Sequence, residues 1–363
     1  MKLVFINDRI YKYASADPSA VGGAERQQWL LARALARTNW QVVVGVSEGI
    51  TDGNRKTIEG VEFRDIGLAH GHIFSNWYKF LATERPDWWY WRLASHLLGP
   101  AFYMANYLKV RTIFAAGLDS DVNPRRALFW RSQFWPLYAL GLRISDRILV
   151  QHEGQWAELP NSLRAKAFLI PSIAGEEIDL VPQTAKKSYV AWVGQIRLAK
   201  RSDLLIELAR KLEKIPFVVC GGISTFGSTV EYGEEIIAQL RALPNVDYKG
   251  QVTPDIARQT IANAGLFLST SDEEGFPNTF LQAWSVGTPV VSLKIDPDAV
   301  FARKKVGLVC RGVDDAAEKI TLLLDSLEMR EEIANLGRIH VARRHSESAV
   351  LKKFDLALQG TRS

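Results

Sequence analysis

The chain has 363 residues, of which 47% are hydrophobic and 23% are charged, and its formal net charge is +5. This composition excludes an intrinsically disordered chain, and the length is sufficient for two domains with separate cores. Cys220 and Cys310 both lie in apolar runs, so we expect buried thiols in a reducing compartment rather than a disulfide. Because no signal-peptide core and no uncharged run of about 18 residues is found, we expect a cytoplasmic protein that does not span a membrane.

The excess of basic residues is concentrated in one segment of the first half. Between residues 109 and 147 the sequence has seven lysines and arginines against three aspartates, which favours anionic partners such as phosphate groups. Zinc-ligand spacing, an RNA-binding signature and a helix-turn-helix signal are missing from the sequence. We therefore expect no nucleic-acid partner.

The first half alternates β-rich runs with helical segments, which predicts a parallel sheet covered by helices. A βαβ unit is formed by the run KLVFIN (2–7), a long loop, a helix over 24–38 and the run QVVVGV (41–46). The further predicted strands are TIFAAG (112–117), RILVQ (147–151) and an edge strand at FLIPS (168–172).

Segment 74–107 is rich in aromatic residues and lies beside the basic segment. Its tryptophans and tyrosines are Trp77, Tyr78, Trp88, Trp89, Tyr90, Trp91, Tyr103 and Tyr107. Aromatic and basic residues together are typical of a membrane interface or of a cleft in which sugars stack. A buried core accounts for at least half of these aromatics, so peripheral membrane contact through the first domain stays an open alternative.

Segment 171–188 differs in composition from the regions that flank it. It is polar, has two prolines and lacks periodicity, which is typical of an inter-domain linker. We therefore predict a first domain over 1–172, a linker over 173–187, a second domain over 188–345 and a C-terminal helix over 346–363.

The second half repeats the alternation of strands and helices. Its predicted elements are strands at 189–194, 216–222, 245–250, 265–270 and 289–293, and helices at 202–213 and 254–264. The chain is thus predicted to be an α/β protein with two doubly wound, Rossmann-like halves. Ligands bind beyond the carboxyl ends of the strands in such sheets, so four loops are expected to converge on one crevice: 7–23, 194–201, 221–228 and 269–277.

Two of these loops carry groups that suit a phosphate. Gly22 and Gly23 precede a helix and let backbone N–H groups approach an anion, although a simple tight turn explains them equally well. After Gly194, the cations Arg197, Lys200 and Arg201 are suited to a diphosphate, with a solvated basic loop as the alternative. No GxGxxG follows the first strand, which counts against a nicotinamide enzyme.

The stretch SDEEGFPNTFLQAW (271–284) places an acidic pair, a glycine and a proline directly before an apolar segment. A helix is predicted to start near Asn278, a good capping residue that follows Pro277. Glu274 then lies in the loop, where its carboxylate can accept hydrogen bonds from ligand hydroxyls. The aromatic residues of the helix are interpreted as core.

The segments GGAER (22–26), VG (193–194) followed by Lys200, and above all EGFPNTFLQAWSVGTPVVS (274–292) resemble those of the retaining glycosyltransferases of family 4. The resemblance implies a GT-B fold, with two Rossmann-like domains facing across a crevice and the C-terminal helix packing back on the first domain. It also implies transfer of a sugar from a nucleotide-sugar to a glycan or lipid-linked saccharide, in polysaccharide or glycoconjugate biosynthesis.

The resemblance also implies roles for single residues. Glu274 would bind the hydroxyls of the transferred sugar and Lys200 the diphosphate. Arg197 would replace the family's arginine, because Gln195 stands at that arginine's position. Gln282 replaces the second Glu of the family's Glu-x7-Glu motif and would bind a ribose hydroxyl more weakly than a carboxylate does. With Glu274, Lys200 and Arg197 as catalytic residues, the predicted donor-binding set is Gly22, Gly23, Gly194, Gln195, Gly275, Phe276, Pro277, Asn278, Thr279 and Gln282.

Such a transfer proceeds on one face of the sugar, and the oxygen of the leaving diphosphate takes the proton of the incoming hydroxyl. We expect no metal or other cofactor, because the second domain has no DxD motif. Asp119-Ser-Asp121 has that spacing but lies in the first domain, where it is interpreted as a loop feature or an acceptor contact. The family's first-domain histidine has no secure match among His70, His72, His96 and His152.

The main alternative is a degenerate, non-catalytic protein that binds nucleotide-sugars, since Gln195 and Gln282 replace two family residues. A Rossmann oxidoreductase is a weaker alternative because its fingerprint is missing. The base, the sugar, the acceptor and the linkage are not determined by the sequence.

Overall fold

A computed structural model describes residues 1–17, 19–20, 22–47, 50, 55–67, 72–127, 133–175 and 187–359, with only the backbone at Lys187 and Ser188. The chain divides into two compact units, which are Met1–Ile173 together with Glu347–Ser363, and Ala174–Ser346. Most of the predicted linker, 176–186, lies outside the described residues.

The first unit is built on an eight-stranded sheet with the order β3-β4-β2-β1-β5-β6-β7-β8. All neighbouring strands are parallel except the antiparallel pair β3–β4. The strands are β1 (Lys2–Ile6), β2 (Gln41–Val46), β3 (Arg55–Ile58), β4 (Val61–Asp65), β5 (Trp88–Arg92), β6 (Arg111–Ala115), β7 (Arg147–Val150) and β8 (Ala167–Leu169). Every strand predicted in this half is therefore observed, and β3, β4 and β5 are additional.

The helices of the first unit cover both faces of this sheet. They are α1 (Asp8–Ala14), α2 (Gly23–Ala36), α3 (Ile73–Glu84), α4 (Leu98–Tyr107), α5 (Pro124–Ala127), α6 (Trp135–Ile144), α7 (Glu153–Glu158) and α8 (Asn161–Arg164). Successive strand residues point to opposite faces, so Leu3 and Phe5 pack in one core cluster and Val4 in the other. The predicted loop 7–23 contains α1, which begins after Asn7 because the Asn7 side chain accepts a hydrogen bond from the Arg9 N–H.

The second unit is built on a six-stranded parallel sheet with the order β11-β10-β9-β12-β13-β14. Its strands are β9 (Lys187–Val193), β10 (Phe217–Cys220), β11 (Val246–Gly250), β12 (Ala264–Ser269), β13 (Val290–Ser292) and β14 (Gly307–Val309). Its helices are α9 (Ser202–Lys211), α10 (Val230–Arg241), α11 (Pro254–Asn263), α12 (Asn278–Ser285), α13 (Val300–Lys304), α14 (Val313–Asp325) and α15 (Leu327–Arg344). Strand β14 and helices α10, α13, α14 and α15 were not predicted.

The last helix, α16 (Glu347–Leu358), belongs to the first unit. Val350 and Phe354 are buried in the same core cluster as β1 and β2. The Trp40 indole N–H donates to Asp355 Oδ1 at 3.1 Å, and Arg147 Nε donates to the Ala357 carbonyl at 2.7 Å. Within the described ranges, no helix has both the length and the apolar character that crossing a bilayer requires.

Candidate functional site

The site in the second unit begins where strands β9 and β10 end. The Gly194 N–H donates to the Cys220 carbonyl at 3.0 Å, and a bridge between Ile196 and Ile223 continues the pairing beyond the strands. A Cβ at Gly221 would lie 1.8 Å from the Gly194 carbonyl oxygen, so this approach of two backbones requires a glycine. The loops after β9 and β10 are therefore held against each other.

A second set of hydrogen bonds joins the loop after β9 to the loop after β12. The Trp192 indole donates to Thr270 Oγ1 at 3.0 Å, and Thr270 in turn donates to the Lys200 carbonyl at 2.6 Å. The Asp272 N–H donates to the Ala199 carbonyl at 2.9 Å. These bonds fix the backbone of Lys200 beside the loop that carries Glu274.

Lys200 and Glu274, both predicted to be catalytic, lie in direct contact. Lys200 Nζ forms an ion pair with Glu274 Oε1, and the two side chains are only 17% and 13% exposed. A partly buried charge is costly unless it is paired, and each of these two side chains supplies the opposite charge for the other. The pair offers a cation for a phosphate and a carboxylate for sugar hydroxyls at one place.

Arg197 makes a different contact. Its guanidinium carbon lies 5.3 Å from the ring centroid of Phe226, in the loop after β10, and its Nε is buried without a hydrogen-bond partner among the described residues. This contact is a cation–π interaction rather than an ion pair with Glu274. The structure therefore brings Lys200 and Glu274 together and leaves Arg197 against an aromatic ring.

The neighbouring cation, Arg201, forms ion pairs of its own. It bonds Asp203 at 2.7 Å and Asp272 at 3.0 Å, and Lys294 also reaches Asp272 at 3.3 Å. Burial raises the pKa of Asp272, but the hydrogen bonds from Arg201 and Lys294 outweigh it and leave the pKa below its usual value. These pairs hold the two loops together beside the Lys200–Glu274 pair.

The start of helix α12 differs from the prediction in one detail. Pro277 occupies the cap position with φ −63°, and Asn278 is the first helical residue, so the prediction that Asn278 caps the helix is wrong. Proline suits this place because its ring fixes φ near that value and it has no N–H to satisfy.

The remaining predicted donor-binding residues of the second unit lie around this helix start. Gly275 and Phe276 are buried, whereas Thr279 and Gln282 are half-buried on the first turns of α12. The ring of Phe276 packs 4.9 Å from His345 and 6.2 Å from Trp284. Gln195 is half-buried directly after Gly194. Their roles in donor binding stay predictions.

The glycine pair of the first unit lies at the start of α2. Gly22 is the cap residue with φ +107°, and the Glu25 carboxylate is so close that a Cβ at Gly22 would lie 2.1 Å from it. Arg9 Nη1 pairs with Glu25 at 3.2 Å, and Tyr13 donates to the Gly22 carbonyl at 3.0 Å. A carboxylate therefore already occupies the positive end of this helix, where an approaching phosphate would be repelled.

A histidine–aspartate pair lies at the carboxyl ends of β6 and β7. His152 Nε2 contacts Asp119 Oδ1 at 2.8 Å, and the Gln155 amide donates to the same oxygen at 3.0 Å. Since His152 Nδ1 accepts from the Gln155 N–H at 3.4 Å, the proton of the neutral ring is assigned to Nε2, which donates to Asp119. His72 is exposed, the His96 ring lies tilted against Phe134 with its centroid 5.4 Å away, and His70 lies outside the described residues.

Asp121, two residues after Asp119, has a structural role. It is 2% exposed and accepts hydrogen bonds from the backbone N–H groups of Gly117, Leu118 and Ala94. Burial raises its pKa to about 6. The sequence analysis named Asp119 as a loop feature or acceptor contact and His152 as one of four candidate histidines, but it did not predict that the two residues pair.

Most of the second unit matches a known protein family. Residues 176–340 match the family described as Glycosyl transferases group 1. An alpha-galactosylglucosyldiacylglycerol synthase of Streptococcus pneumoniae strain R6 is 35% identical over 107 residues, which cover 30% of this chain and 29% of that protein. The match therefore spans less than a third of that curated relative.

Two solved structures match nearly the whole chain. HepE of Anabaena, in complex with UDP and glucose, has a TM-score of 0.73 and 16% identity over 99% of this chain and all 100% of its own. The sucrose-phosphate synthase of Thermosynechococcus elongatus has a TM-score of 0.74 and 17% identity over 99% of this chain and 98% of its own. The predicted fold class is thus confirmed: the chain has the two-domain α/β GT-B fold of these structures, and residues 176–340, less than half of the chain, match the glycosyl transferases group 1 domain.

Proposed function

We propose that the chain is a retaining glycosyltransferase that moves a sugar from a nucleotide-sugar to a saccharide or a lipid-linked saccharide. The observation that carries this proposal is the Lys200–Glu274 pair at the carboxyl edge of the second sheet, inside the group 1 domain. That edge is where ligands bind in doubly wound folds.

The reaction assigned to this site balances without an added nucleophile. The bond between the sugar and the diphosphate breaks, and the acceptor hydroxyl forms the new bond on the same face of the sugar. The hydroxyl proton passes to the leaving diphosphate oxygen, whose developing charge is stabilised by Lys200. Glu274 accepts hydrogen bonds from the hydroxyls of the transferred sugar. We propose that no metal is required, and we expect turnover to persist in EDTA.

A uridine nucleotide is the first donor to test. HepE is described in complex with UDP and with UDP-glucose, and the pneumococcal relative is named for synthesis of a glycolipid. These descriptions support a UDP-sugar donor and a glycan or glycolipid acceptor for this chain.

The experiment measures nucleotide release from a panel of UDP-, GDP- and ADP-sugars, together with the melting temperature in each donor. A bound donor raises the melting temperature whether or not it reacts. Glu274→Ala should lower turnover about 100-fold or more, the range for a preorganised electrostatic group, while Glu273→Ala is the matched control. Turnover of Glu274→Ala near that of the control would contradict the assignment.

The degenerate-protein alternative rests on Gln195 and Gln282. It predicts that one donor raises the melting temperature, yet releases no nucleotide above the uncatalysed rate with any acceptor tested. For an active enzyme, NMR of the product should show the anomeric configuration of the donor.

A further inference from the structure

The outer surface of helices α4 and α6 exposes a set of large apolar and aromatic side chains. On α4 these are Tyr103 and Tyr107, which are 72% and 75% exposed. On α6 they are Trp135, Leu137 and Leu140, which are 38%, 37% and 42% exposed. We call these five side chains the α4–α6 surface. A contiguous apolar patch that is exposed to solvent often marks an interaction site.

The two helices form one continuous layer. A Cβ at Gly99 would lie 2.3 Å from the Leu137 carbonyl oxygen, and the Asn106 amide reaches the Ile144 carbonyl at 3.5 Å. These two contacts show that α4 and α6 run side by side in the same direction. The outward residues of both helices therefore lie in one layer.

The inner faces of the same helices already fill the core. Phe102 of α4 and Tyr138 and Leu142 of α6 are fully buried in one cluster against the sheet. The outward residues are therefore a second apolar face, which the core of this unit does not use. The tryptophans that suggested a membrane interface in the sequence, Trp77, Trp88 and Trp89, are buried instead.

The charges described on and beside these two helices are cations, apart from Asp146, which follows α6 and accepts from the Thr112 N–H at 2.8 Å. Helix α4 has no charged residue and α6 has only Arg143. Lys109 follows α4 and is exposed, and the Arg125 guanidinium lies 5.5 Å from the ring centroid of Trp135. Lys166 directly precedes β8, and its half-buried side chain reaches the end of α6. There its Nζ donates to the Arg143 and Ser145 carbonyls at 2.6 and 2.7 Å. An apolar surface with cations around it and no acid on either helix complements an anionic one.

We propose that the α4–α6 surface binds the surface of an anionic bilayer. Tyrosine and tryptophan side chains are suited to the headgroup region because the ring is apolar and the tip is polar, and Arg143 and Lys109 attract anionic headgroups. Such binding would hold the protein next to a lipid-linked acceptor, and this part of the inference rests on the proposed function. Binding to the bilayer itself does not depend on turnover.

The test is sedimentation of the whole protein with sucrose-loaded vesicles. One set contains equal parts of phosphatidylglycerol and phosphatidylcholine, and the other contains phosphatidylcholine alone. We expect binding to the anionic vesicles, weakening as salt is raised because salt screens the charges. The triple variant Tyr103→Ser/Tyr107→Ser/Leu140→Ser should lower the partition coefficient at least tenfold.

Matched controls come from the second unit. Ile256 and Leu322 are 47% and 52% exposed, and Ile256→Ser/Leu322→Ser should leave binding unchanged. Arg143→Glu should weaken binding to anionic vesicles, whereas Arg210→Glu, at another exposed arginine, should not. If the triple variant does not fold, the comparison of Arg143→Glu with Arg210→Glu in binding to anionic vesicles tests the proposal by itself.

Three results would overturn the proposal. The first is wild-type protein that stays in the supernatant with anionic vesicles. The second is a loss of vesicle binding in the control variants equal to that in the test variants. The third is a dimer that the wild type forms without vesicles and that the triple variant does not form. The last result would assign the surface to a second copy of the chain. Melting shifts with nucleotide-sugars, measured on the same samples, report the donor site, so failure of one proposal is distinguishable from failure of the other.

Discussion

At the scale of single residues, the Lys200–Glu274 contact gives the predicted site its most definite geometry. The two residues are 74 positions apart in the sequence and form an ion pair. A donor whose diphosphate binds Lys200 must share or replace the Glu274 carboxylate. The sugar next to that diphosphate would then lie within reach of Glu274, as the proposed reaction requires.

The contacts of Lys200 and Arg197 lead to unequal predictions. Lys200→Ala should cost about 2–4 kcal/mol of transition-state stabilisation, the range for one preorganised group. Arg197→Ala should change kcat by less than about tenfold, or about 1.4 kcal/mol, because its guanidinium contacts Phe226. Steady-state kinetics of both single variants and the double variant measure this. Equal, strongly non-additive losses would instead mean that both cations bind one diphosphate.

Gln282 leads to a prediction about binding rather than turnover. Gln282→Glu should lower the dissociation constant of the donor nucleotide, because a ribose hydroxyl would then donate to a charged acceptor. Isothermal titration with UDP measures it, and Gln259→Glu on helix α11 is the control. An unchanged or weaker affinity would contradict the assignment of Gln282 to the ribose.

At the scale of elements, strand β5 and helix α12 show two ways in which sequence patterns mislead. The run WWYWR (88–92) is a strand whose aromatics give no alternation of polar and apolar residues, so it was interpreted as part of an aromatic segment. The start of α12 was predicted correctly, but proline rather than asparagine holds its cap position.

Helix α15 packs against α12 through His340, and this packing predicts that the second unit loses stability in acid. The His340 ring lies edge-on to Trp284 at 5.5 Å. Burial, with added repulsion from Arg344 and Lys304, lowers the pKa of His340 to about 4 from its ordinary 6.5. Between these two values the unfolded chain binds more protons than the folded one, so the free energy of unfolding falls as the pH falls from 6.5 to 4.

His340→Phe keeps a ring against Trp284 but removes the titrating group. We expect the variant to lose less stability than the wild type between pH 6.5 and pH 4, as measured by urea unfolding at several pH values. The exposed His72→Gln should behave as the wild type does. Parallel pH profiles for wild type and His340→Phe would show that this ring does not carry the acid sensitivity.

At the scale of the whole molecule, the chain returns to its first unit after completing the second. Phe354 of α16 is fully buried, and its ring centroid lies 6.1 Å from that of Trp40. Phe354→Ala should lower the stability of the first unit by about 3–5 kcal/mol, the usual cost of a large cavity.

Hydrogen exchange with mass spectrometry measures this effect for each unit separately, because local opening reports local stability. Peptides from β1, β2 and α2 should lose protection, whereas peptides from β9 and β12 should not. Leu356→Ala is the matched control, since Leu356 lies on the same helix and is 60% exposed. Loss of protection only in the second unit would contradict the packing of α16.

Much of the fold was determined by the sequence alone. The alternation of apolar runs with helical segments located five of the six strands of the second sheet, β9 to β13, and the loops that follow β9, β10 and β12. The parallel sheet predicted that the loops carrying Lys200 and Glu274 meet at one edge, and the resemblance to family 4 supplied the roles of the two residues. These signals are local, since each depends on residues that are neighbours along the chain.

The tertiary structure alone decided the contacts between distant residues. In the second unit these contacts are the Lys200–Glu274 ion pair and the cation–π contact of Arg197 with Phe226. In the first unit they are the close approach of the Glu25 carboxylate to Gly22 and the hydrogen bond between His152 and Asp119. The tertiary structure also decides which aromatics of segment 74–107 are buried and which form the α4–α6 surface. The physical reason is that a side chain's partner and burial depend on elements far away in the sequence, whereas periodicity and turn chemistry depend on neighbouring residues only.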